Sequence, residues 1–290
     1  MNVDVRPMRH SDVPAASALS QAAYGHPLDE RDVRLYLDLD PKGWLVATVA
    51  GRIVGMGGVS VFGDQAVIGL MATHPDHQRQ GVGSAVFTWL VSYAEARGAG
   101  RMALYATELG AALYRRHGFA ELELTDTWEN STAPRAGELT PEVLPAPADT
   151  GAEPLSSRDV DQIVALDAEA FGASRERLIA RLVAELPGRC FGIRDEAGRL
   201  RAHVIAQRQR IGPAVAGSDR DAALLLETAL SLPFQEPPRI LVPRAHPTAA
   251  ALLQRRGFTA PRFTRYMLRG TAVSPGRRSL ILGLANYSVG

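Results

Sequence analysis

Cysteine is almost absent from the 290-residue chain, and long apolar runs are missing. Cys190 is the single cysteine, which excludes an intrachain disulfide and a metal cluster built on cysteines. No run approaches the roughly 20 apolar residues that a membrane-spanning helix needs. These absences predict a cytoplasmic protein without a membrane partner.

An excess of charge of either sign is also missing, because the formal net charge is +1. There is no basic stripe with interleaved aromatic residues, so we expect no nucleic-acid partner. What is present is ordinary for a globular protein, with 46% hydrophobic and 22% charged residues. At roughly 150 residues per domain, the length predicts about two domains.

Apolar periodicity and turn residues predict alternating strands and helices. The first half reads as a strand, two helices, a hairpin and a further strand, and then a helix over 81–97. A strand, a short helix and a last strand over 119–128 follow. Five prolines then fall within 129–154, which predicts a semi-extended linker.

After the linker the pattern of the first half begins again. The spacing from Asp12 to Gly25 recurs from Asp159 to Gly172, at an offset of 147 residues, and a Gly-Arg pair recurs at the same offset. A diverged tandem repeat accounts for both matches. We therefore predict a domain at 1–128, the linker at 129–154 and a second domain at 155–290.

The most informative stretch is the polar loop over 74–84, which joins an apolar strand to a helix. Strand, glycine-containing loop and helix together direct backbone N–H groups and the helix dipole at one point, which suits a phosphate. Gly81 and Gly83 let the backbone approach such a ligand, and Arg79 adds positive charge. A P-loop is excluded because no Gly-Lys-Ser/Thr is present, and a dinucleotide fingerprint is excluded because Val86 replaces its third small residue.

This loop resembles the coenzyme-A loop of the GNAT N-acetyltransferases, Gln/Arg-x-x-Gly-x-Gly/Ala, which here reads Gln78-Arg79-Gln80-Gly81-Val82-Gly83. The whole chain resembles a tandem GNAT subgroup with a Gly-Pro-x-x-Ala motif in its second domain, as in Gly212-Pro213-Ala214-Val215-Ala216. The resemblance implies an α/β fold with a mixed, mostly antiparallel sheet flanked by helices in each domain. It also implies acetyl transfer from acetyl-CoA to an amine within a ternary complex.

The resemblance also implies roles for individual residues. Tyr114 takes the position of the general acid, and the backbone N–H of Met71 that of the oxyanion donor. No single base stands out among the candidates, and Glu30 is the one that we carry forward from the set His26, Asp29, Glu30, Glu108 and His117. The implied cofactor-binding residues are Leu70, Met71, Ala72, Thr73, Gln78, Arg79, Gln80, Gly81, Val82, Gly83 and Ser84.

The second half lacks these features. Residues 217–220 replace the loop and lack a Gly-x-Gly, and Asp219 and the following Asp221 bring two acids to this position. Leu253 stands at the position that matches Tyr114. We therefore predict that the second domain does not bind the cofactor, and that it shapes the acceptor site or the interface between the domains.

Several alternatives stay open. A non-catalytic acyl-CoA-sensing or interaction module is the alternative to an enzyme, although a sensor has no need of a thiolate donor such as Tyr114. Among enzymes, O-acetyl transfer or a longer acyl donor is open. The expected acceptor is a small-molecule or peptide amine, and the oligomeric state is open between a monomer and a homo-oligomer. No metal is expected, because His74 and His77 have no third ligand in view.

Overall fold

The structure is a computed structural model that describes residues 3–130, 151–234, 236–271 and 273–290. The elements of the first half are β1 (Asp4–Pro7), α1 (Val13–Tyr24), α2 (Glu30–Leu39), β2 (Trp44–Val49), β3 (Arg52–Phe62), β4 (Gln65–Thr73), α3 (Val82–Ala96), β5 (Arg101–Ala106), α4 (Glu108–Arg116) and β6 (Ala120–Glu129). Those of the second half are β7 (Glu153–Pro154), α5 (Val160–Phe171), α6 (Glu176–Glu185), β8 (Cys190–Arg194), β9 (Leu200–Ala206), β10 (Ile211–Ala216), α7 (Asp219–Leu230), β11 (Arg239–Pro243), α8 (Ala249–Arg255), β12 (Thr259–Arg269) and β13 (Ile281–Gly283). Most of the predicted linker lies outside the described residues, and its last two residues form β7.

Both halves begin with the same local structure, as the repeat predicts. The carboxylates of Asp12 and Asp159 each accept a hydrogen bond, 2.8 Å long, from the backbone N–H three residues earlier. The helices that follow, α1 and α5, end at Gly25 and Gly172, with φ of 80° and 96°. Glycine reaches this left-handed conformation without the steric penalty of a Cβ atom, so it stops both helices at equivalent points.

The two halves exchange strands where they meet. The strand order is β1-β2-β3-β4-β5-β12-β6-β11 in one sheet and β13-β10-β9-β8-β7 in the other. β12, from the second half, lies between β5 and β6 and is antiparallel to both, while β6 pairs with β11. The described pairings are antiparallel except for β4 with β5 and one isolated bridge. The two domains therefore follow one another along the chain but interlock in space.

One hydrophobic core joins the helices on one face of the two sheets. Leu19 and Tyr36 of the first half and Ile179 and Leu182 of the second belong to a single buried cluster around Trp44. Separate clusters pack α3 against the first sheet, and α7 and α8 against the second. The shared core fixes the second half against the α1/α2 side of the first. None of the helices in the described part of the chain has the length and apolarity that a membrane crossing requires.

Candidate functional site

Strands β4 and β5 run side by side and then separate. Their parallel pairing covers Gln65–Ile68 against Arg101–Leu104 and ends there. Beyond that point β4 contains a bulge, because its register with β3 shifts and Leu70 has a φ of 53°. A bulge redirects backbone groups. The backbone over 69–73 is therefore left without β5 as a partner, and we refer to the gap between them as the slot.

The polar loop predicted from the sequence lies at the open end of the slot. Gly81, with a φ of 87°, precedes α3, and no side chain caps that helix. A Cβ atom on Gly81 would meet no atom of the described residues within 4 Å, whereas one on Gly83 would lie 3.3 Å from Thr73 Oγ1. The first N–H groups of α3 therefore have no side chain that caps them. They lie next to the end of β4 and border open space. This geometry suits a phosphate.

Two tyrosines, Tyr24 and Tyr114, lie near one another beside the bulge. Tyr24, the last residue of α1, donates a hydrogen bond from its hydroxyl to the backbone carbonyl of Met71. Although 43% of Tyr24 is exposed, its hydroxyl end is surrounded by protein, and this burial raises the pKa of Tyr24 to about 12. Tyr114 is buried, and that burial, together with the nearby Tyr24 hydroxyl, raises its pKa further above the ordinary value. Both phenols are therefore neutral, and able to donate, at physiological pH.

Packing holds the Tyr114 ring in place. Its centroid lies 5.0 Å from that of Phe87 on α3 and 6.5 Å from that of Phe119, so the three rings pack against one another. A Cβ atom on Gly110, one turn earlier in α4, would lie 3.0 Å from the ring. Gly110 therefore leaves room for this orientation, which is fixed before any ligand arrives.

The sequence did not lead us to Tyr24. A tyrosine followed by glycine at the end of a periodic segment reads as an ordinary helix terminus. One signal was available: the repeat pairs Tyr24 with Phe171, and Tyr114 with Leu253, so both hydroxyls are specific to the first half.

The structure places the predicted bases at different distances from the slot. The ring of His26 stacks on that of Tyr24, with 6.2 Å between centroids. Glu30 forms an exposed ion pair with Arg34 one turn along α2, and Asp29 caps α2 by accepting from the N–H of Arg31. His26 is thus the candidate beside the tyrosines, and Glu30 stays a prediction.

The two other candidates lie on the α4 side. Glu108 binds the guanidinium of Arg265, 3.0 Å away at Nε. His117 packs edge-on against Phe87, and burial, followed by the charges of Arg269 and Arg116, lowers its pKa below the ordinary value. Neither carboxylate nor imidazole is presented at the bulge.

The equivalent slot of the second half is filled by the chain itself. There β13 pairs antiparallel with β10, and the N–H of Leu284 donates to the carbonyl of Leu241 in β11 at 2.9 Å. β13 thus lies between β10 and β11, the strands that correspond to β4 and β5. A Cβ atom on Gly212 would collide with the carbonyl oxygen of Leu284. We call residues 281–290 the tail segment. The glycine of the Gly-Pro motif therefore allows the backbone of the tail segment to approach closely.

The N-terminus of α7, which corresponds to that of α3, is also unsuited to binding an anion. Ser218 caps α7 by accepting from the N–H of Asp221 at 3.1 Å, and Asp219 and Asp221 occupy the first turn. In the first half, Gly81 offers no such cap. The acids and the cap agree with the prediction that this loop does not hold a pyrophosphate.

Comparison with known proteins identifies the fold. Residues 13–119 match the model of the acetyltransferase (GNAT) family, and residues 163–283 match that of an acetyltransferase (GNAT) domain. The chain belongs to the GNAT acetyltransferase family. The predicted pair of tandem GNAT domains and their mixed α/β fold are confirmed.

Relatives of this GNAT protein carry similar names. An uncharacterized N-acetyltransferase of Bacillus subtilis, YitH, is 26% identical over 215 residues, which cover 72% of each chain. A proposed acetyltransferase from Pyrococcus horikoshii has the same fold, with a TM-score of 0.82, 23% identity and coverage of 99% of this chain and 96% of that one. A GCN5-related N-acetyltransferase from Sphaerobacter thermophilus gives a TM-score of 0.65 at 17% identity, over 92% and 95%. The two solved structures thus share the fold of this chain over more than nine-tenths of their length.

Within the described residues, no group of three or more His, Cys, Asp or Glu side chains is placed to hold a metal ion.

Proposed function

We propose that this GNAT protein transfers an acetyl group from acetyl-CoA to an amine, and that the slot of the first half is its one active site. The observation that supports this most directly is the contrast between the slots. The first is bordered by an uncapped helix start and by two tyrosine hydroxyls, and the second contains β13. An acetyltransferase is also what the family implies.

The residues of the first half fit a nucleotide-thioester ligand. The uncapped N–H groups at Gly81 and the positive charge of Arg79 suit its phosphates. The backbone of β4 that faces the slot suits its extended amide-containing arm, in the manner of an added strand. The proposed binding residues are those predicted from the sequence: Leu70, Met71, Ala72, Thr73, Gln78, Arg79, Gln80, Gly81, Val82, Gly83 and Ser84.

Acetyl-CoA supplies an activated thioester, and the chain supplies the groups that act on it. In the transfer a C–S bond breaks and a C–N bond forms, one proton leaves the amine and one reaches the sulfur. Met71 lies in the bulged part of β4, and we assign to its N–H the stabilisation of the negative charge that develops on the carbonyl oxygen. The Tyr24 hydroxyl holds the Met71 carbonyl and thereby orients this part of the backbone.

Tyr114 is the proposed donor to the leaving sulfur. A thiol has a pKa of ~8.5, below that of a phenol at ~10, and burial raises the pKa of Tyr114 further. Tyr114 therefore stabilises the developing thiolate through a hydrogen bond, and proton transfer comes late in the step. A buried neutral phenol beside a reacting site favours an enzyme over an acyl-CoA sensor.

A calorimetric titration with acetyl-CoA, followed by turnover with a panel of small-molecule and peptide amines, tests the proposal. We expect one binding site per chain and CoA release that depends on the amine. Two sites would show that the second slot exchanges its β13 for ligand. An absence of binding at millimolar acetyl-CoA would rule out the proposed reaction.

A further inference from the structure

The two ends of the slot differ. Its open end lies where Thr73 meets Gly83 and the uncapped start of α3, so the phosphates of the proposed ligand belong there. Its closed end lies where β4 and β5 come together at Ile68 and Leu104. The reactive end of a ligand that enters from the phosphate side is therefore directed at the closed end.

The tail segment covers this closed end. The first residues beyond the paired region are Gly69 on β4 and Tyr105 on β5. A Cβ atom on Gly69 would lie 2.5 Å from Cα and 2.7 Å from Oγ of Ser288. The ring of Tyr287 packs against that of Tyr105, with 5.3 Å between centroids. Two consecutive residues of the tail segment thus lie against both strands at the vertex of the slot.

Several bonds hold this part of the tail segment in place. The hydroxyls of Tyr287 and Thr127 lie 2.6 Å apart, and Asn286 Oδ1 accepts from the N–H of Ser288 at 2.7 Å. The guanidinium of Arg175 donates to the carbonyl of Val289 at 2.9 Å. Ser288 is only 8% exposed. The wall is consequently rigid, and moving it breaks hydrogen bonds.

We propose that Tyr287 and Ser288 close the vertex of the slot and restrict the acyl group of the donor to acetyl. The proposal rests on the proposed function, since it concerns the donor of the same reaction. A longer acyl chain has to extend past the thioester toward the vertex, where Ser288 lies on Gly69. One additional methylene in a fixed pocket changes kcat/KM by about ten- to two-hundredfold. The specificity of the first half is therefore set by a segment of the second.

The test compares acetyl-, propionyl- and butyryl-CoA as donors for the unmodified protein and for Ser288→Gly, which removes the side chain at the vertex. We expect the unmodified protein to lose about tenfold or more in kcat/KM for each methylene. In Ser288→Gly, the propionyl-to-acetyl ratio should rise about tenfold. Val289→Ala is the matched control, because it removes packing from the neighbouring residue on the core side and should leave the ratio unchanged.

Calorimetry with CoA and with butyryl-CoA gives a readout besides turnover. Both variants should bind CoA as the unmodified protein does, and only Ser288→Gly should gain affinity for butyryl-CoA. If CoA binds but Ser288→Gly shows the same dependence on acyl length as the unmodified protein, the vertex proposal is overturned and the proposed function stands. If CoA does not bind at all, the proposed function fails, and this inference fails with it.

Discussion

The two halves of this GNAT protein solve the same structural problem in different ways. In each, two strands separate and leave backbone N–H and C=O groups without a partner, which is costly unless something pairs with them. In the second half β13 of the same chain fills the gap between β10 and β11. In the first half the gap between β4 and β5 stays open beside an uncapped helix. Under the proposed function, the ligand pairs in the first half with the groups that β13 pairs with in the second.

The two halves also differ in the side chains beside the slot. The first half has hydroxyls at Tyr24 and Tyr114, and the second has Phe171 and Leu253 at the matching positions. Both replacements keep a large apolar side chain for packing and lose the polar atom. The second half thus has the same fold without the two hydroxyls, so matched substitutions in the two halves test what the hydroxyls do.

Replacing the phenol of the first half should have the largest effect. Tyr114→Phe removes the proposed proton donor and keeps the ring against Phe87, so we expect kcat to fall by about a hundredfold or more. Affinity for acetyl-CoA by calorimetry should stay the same. Leu253→Met, at the matching position, should leave kcat unaltered. Equal turnover of Tyr114→Phe and the unmodified protein would remove Tyr114 from the mechanism.

A buried histidine should make the second half the acid-sensitive one. His203 is fully buried, and neither ring nitrogen has a hydrogen-bond partner in the described part of the chain. Burial lowers its pKa to about 4, against ~6.5 in the unfolded chain. As the pH falls from about 6.5 to about 4, His203 takes up a proton in the unfolded state but stays neutral in the native state. The free energy of unfolding therefore falls, by about 3 kcal/mol once the pH is below both pKa values.

Denaturant unfolding at pH 7.5 and pH 5 covers the upper part of this pH range, so the histidine should account for about 2 kcal/mol of the difference in stability. His203→Met introduces the residue that the repeat places at Met56 of the first half, and it should unfold with a smaller difference between the two pH values. The substitution leaves in place Asp167 and Arg175, the charged groups that act on His203 and that form an ion pair with each other. An identical pH dependence in the variant would assign the acid sensitivity to other groups.

Substitution of two glycines at opposite ends of α3 distinguishes a loss of ligand binding from conformational strain. Gly81 and Gly98 have φ of 87° and 85°, and a Cβ atom on either would meet no described atom within 4 Å. Alanine costs about 1–2 kcal/mol of conformational strain at each. Only Gly81→Ala should also weaken acetyl-CoA binding, by about tenfold, because its backbone borders the proposed phosphate site. Comparable binding by the two variants would move that site away from the loop.

The smallest effect is expected at Tyr24. Tyr24→Phe removes one hydrogen bond to the Met71 carbonyl, which is worth about 0.5–1.5 kcal/mol, so kcat/KM should fall about three- to tenfold. The reciprocal change, Phe171→Tyr, adds a hydroxyl beside the filled slot and should leave turnover as it was. A loss in Tyr24→Phe as large as that in Tyr114→Phe would instead make Tyr24 a direct participant in the reaction.

Local features of the fold were predictable from the sequence. Periodicity and turn residues predicted the order of the elements from β1 to β4, and they predicted α3 and β6 close to their observed bounds, because neighbouring residues determine them. The repeat predicted two GNAT domains, and the missing Gly-x-Gly predicted a second copy unlike the first. The loop over 78–84 stood out because its glycines and Arg79 follow a strand and precede a helix, an order that is local in the sequence.

Long-range features were not predictable in the same way. β6 and β12 both alternate like ordinary strands, and nothing in that alternation specifies that they exchange between halves. The Gly212-Pro213 pair was identified only as part of a family motif, and the sequence did not show that Gly212 is needed for the close approach of the tail segment. Tyr24 was missed because its role depends on a carbonyl 47 residues away. Each case involves partners that are distant in sequence.

The exchanged strand has a consequence for how the protein is made. The facing edges of β5 and β6 stay unpaired until β12 inserts between them. β12 begins 130 residues after the end of β6, so it leaves the ribosome much later. During synthesis the nascent first half exposes two bare strand edges, which are templates for aggregation. Contacts of such high sequence separation also slow folding. A fragment that ends after β6 should therefore be insoluble on its own, and the smallest unit that folds is the pair of domains.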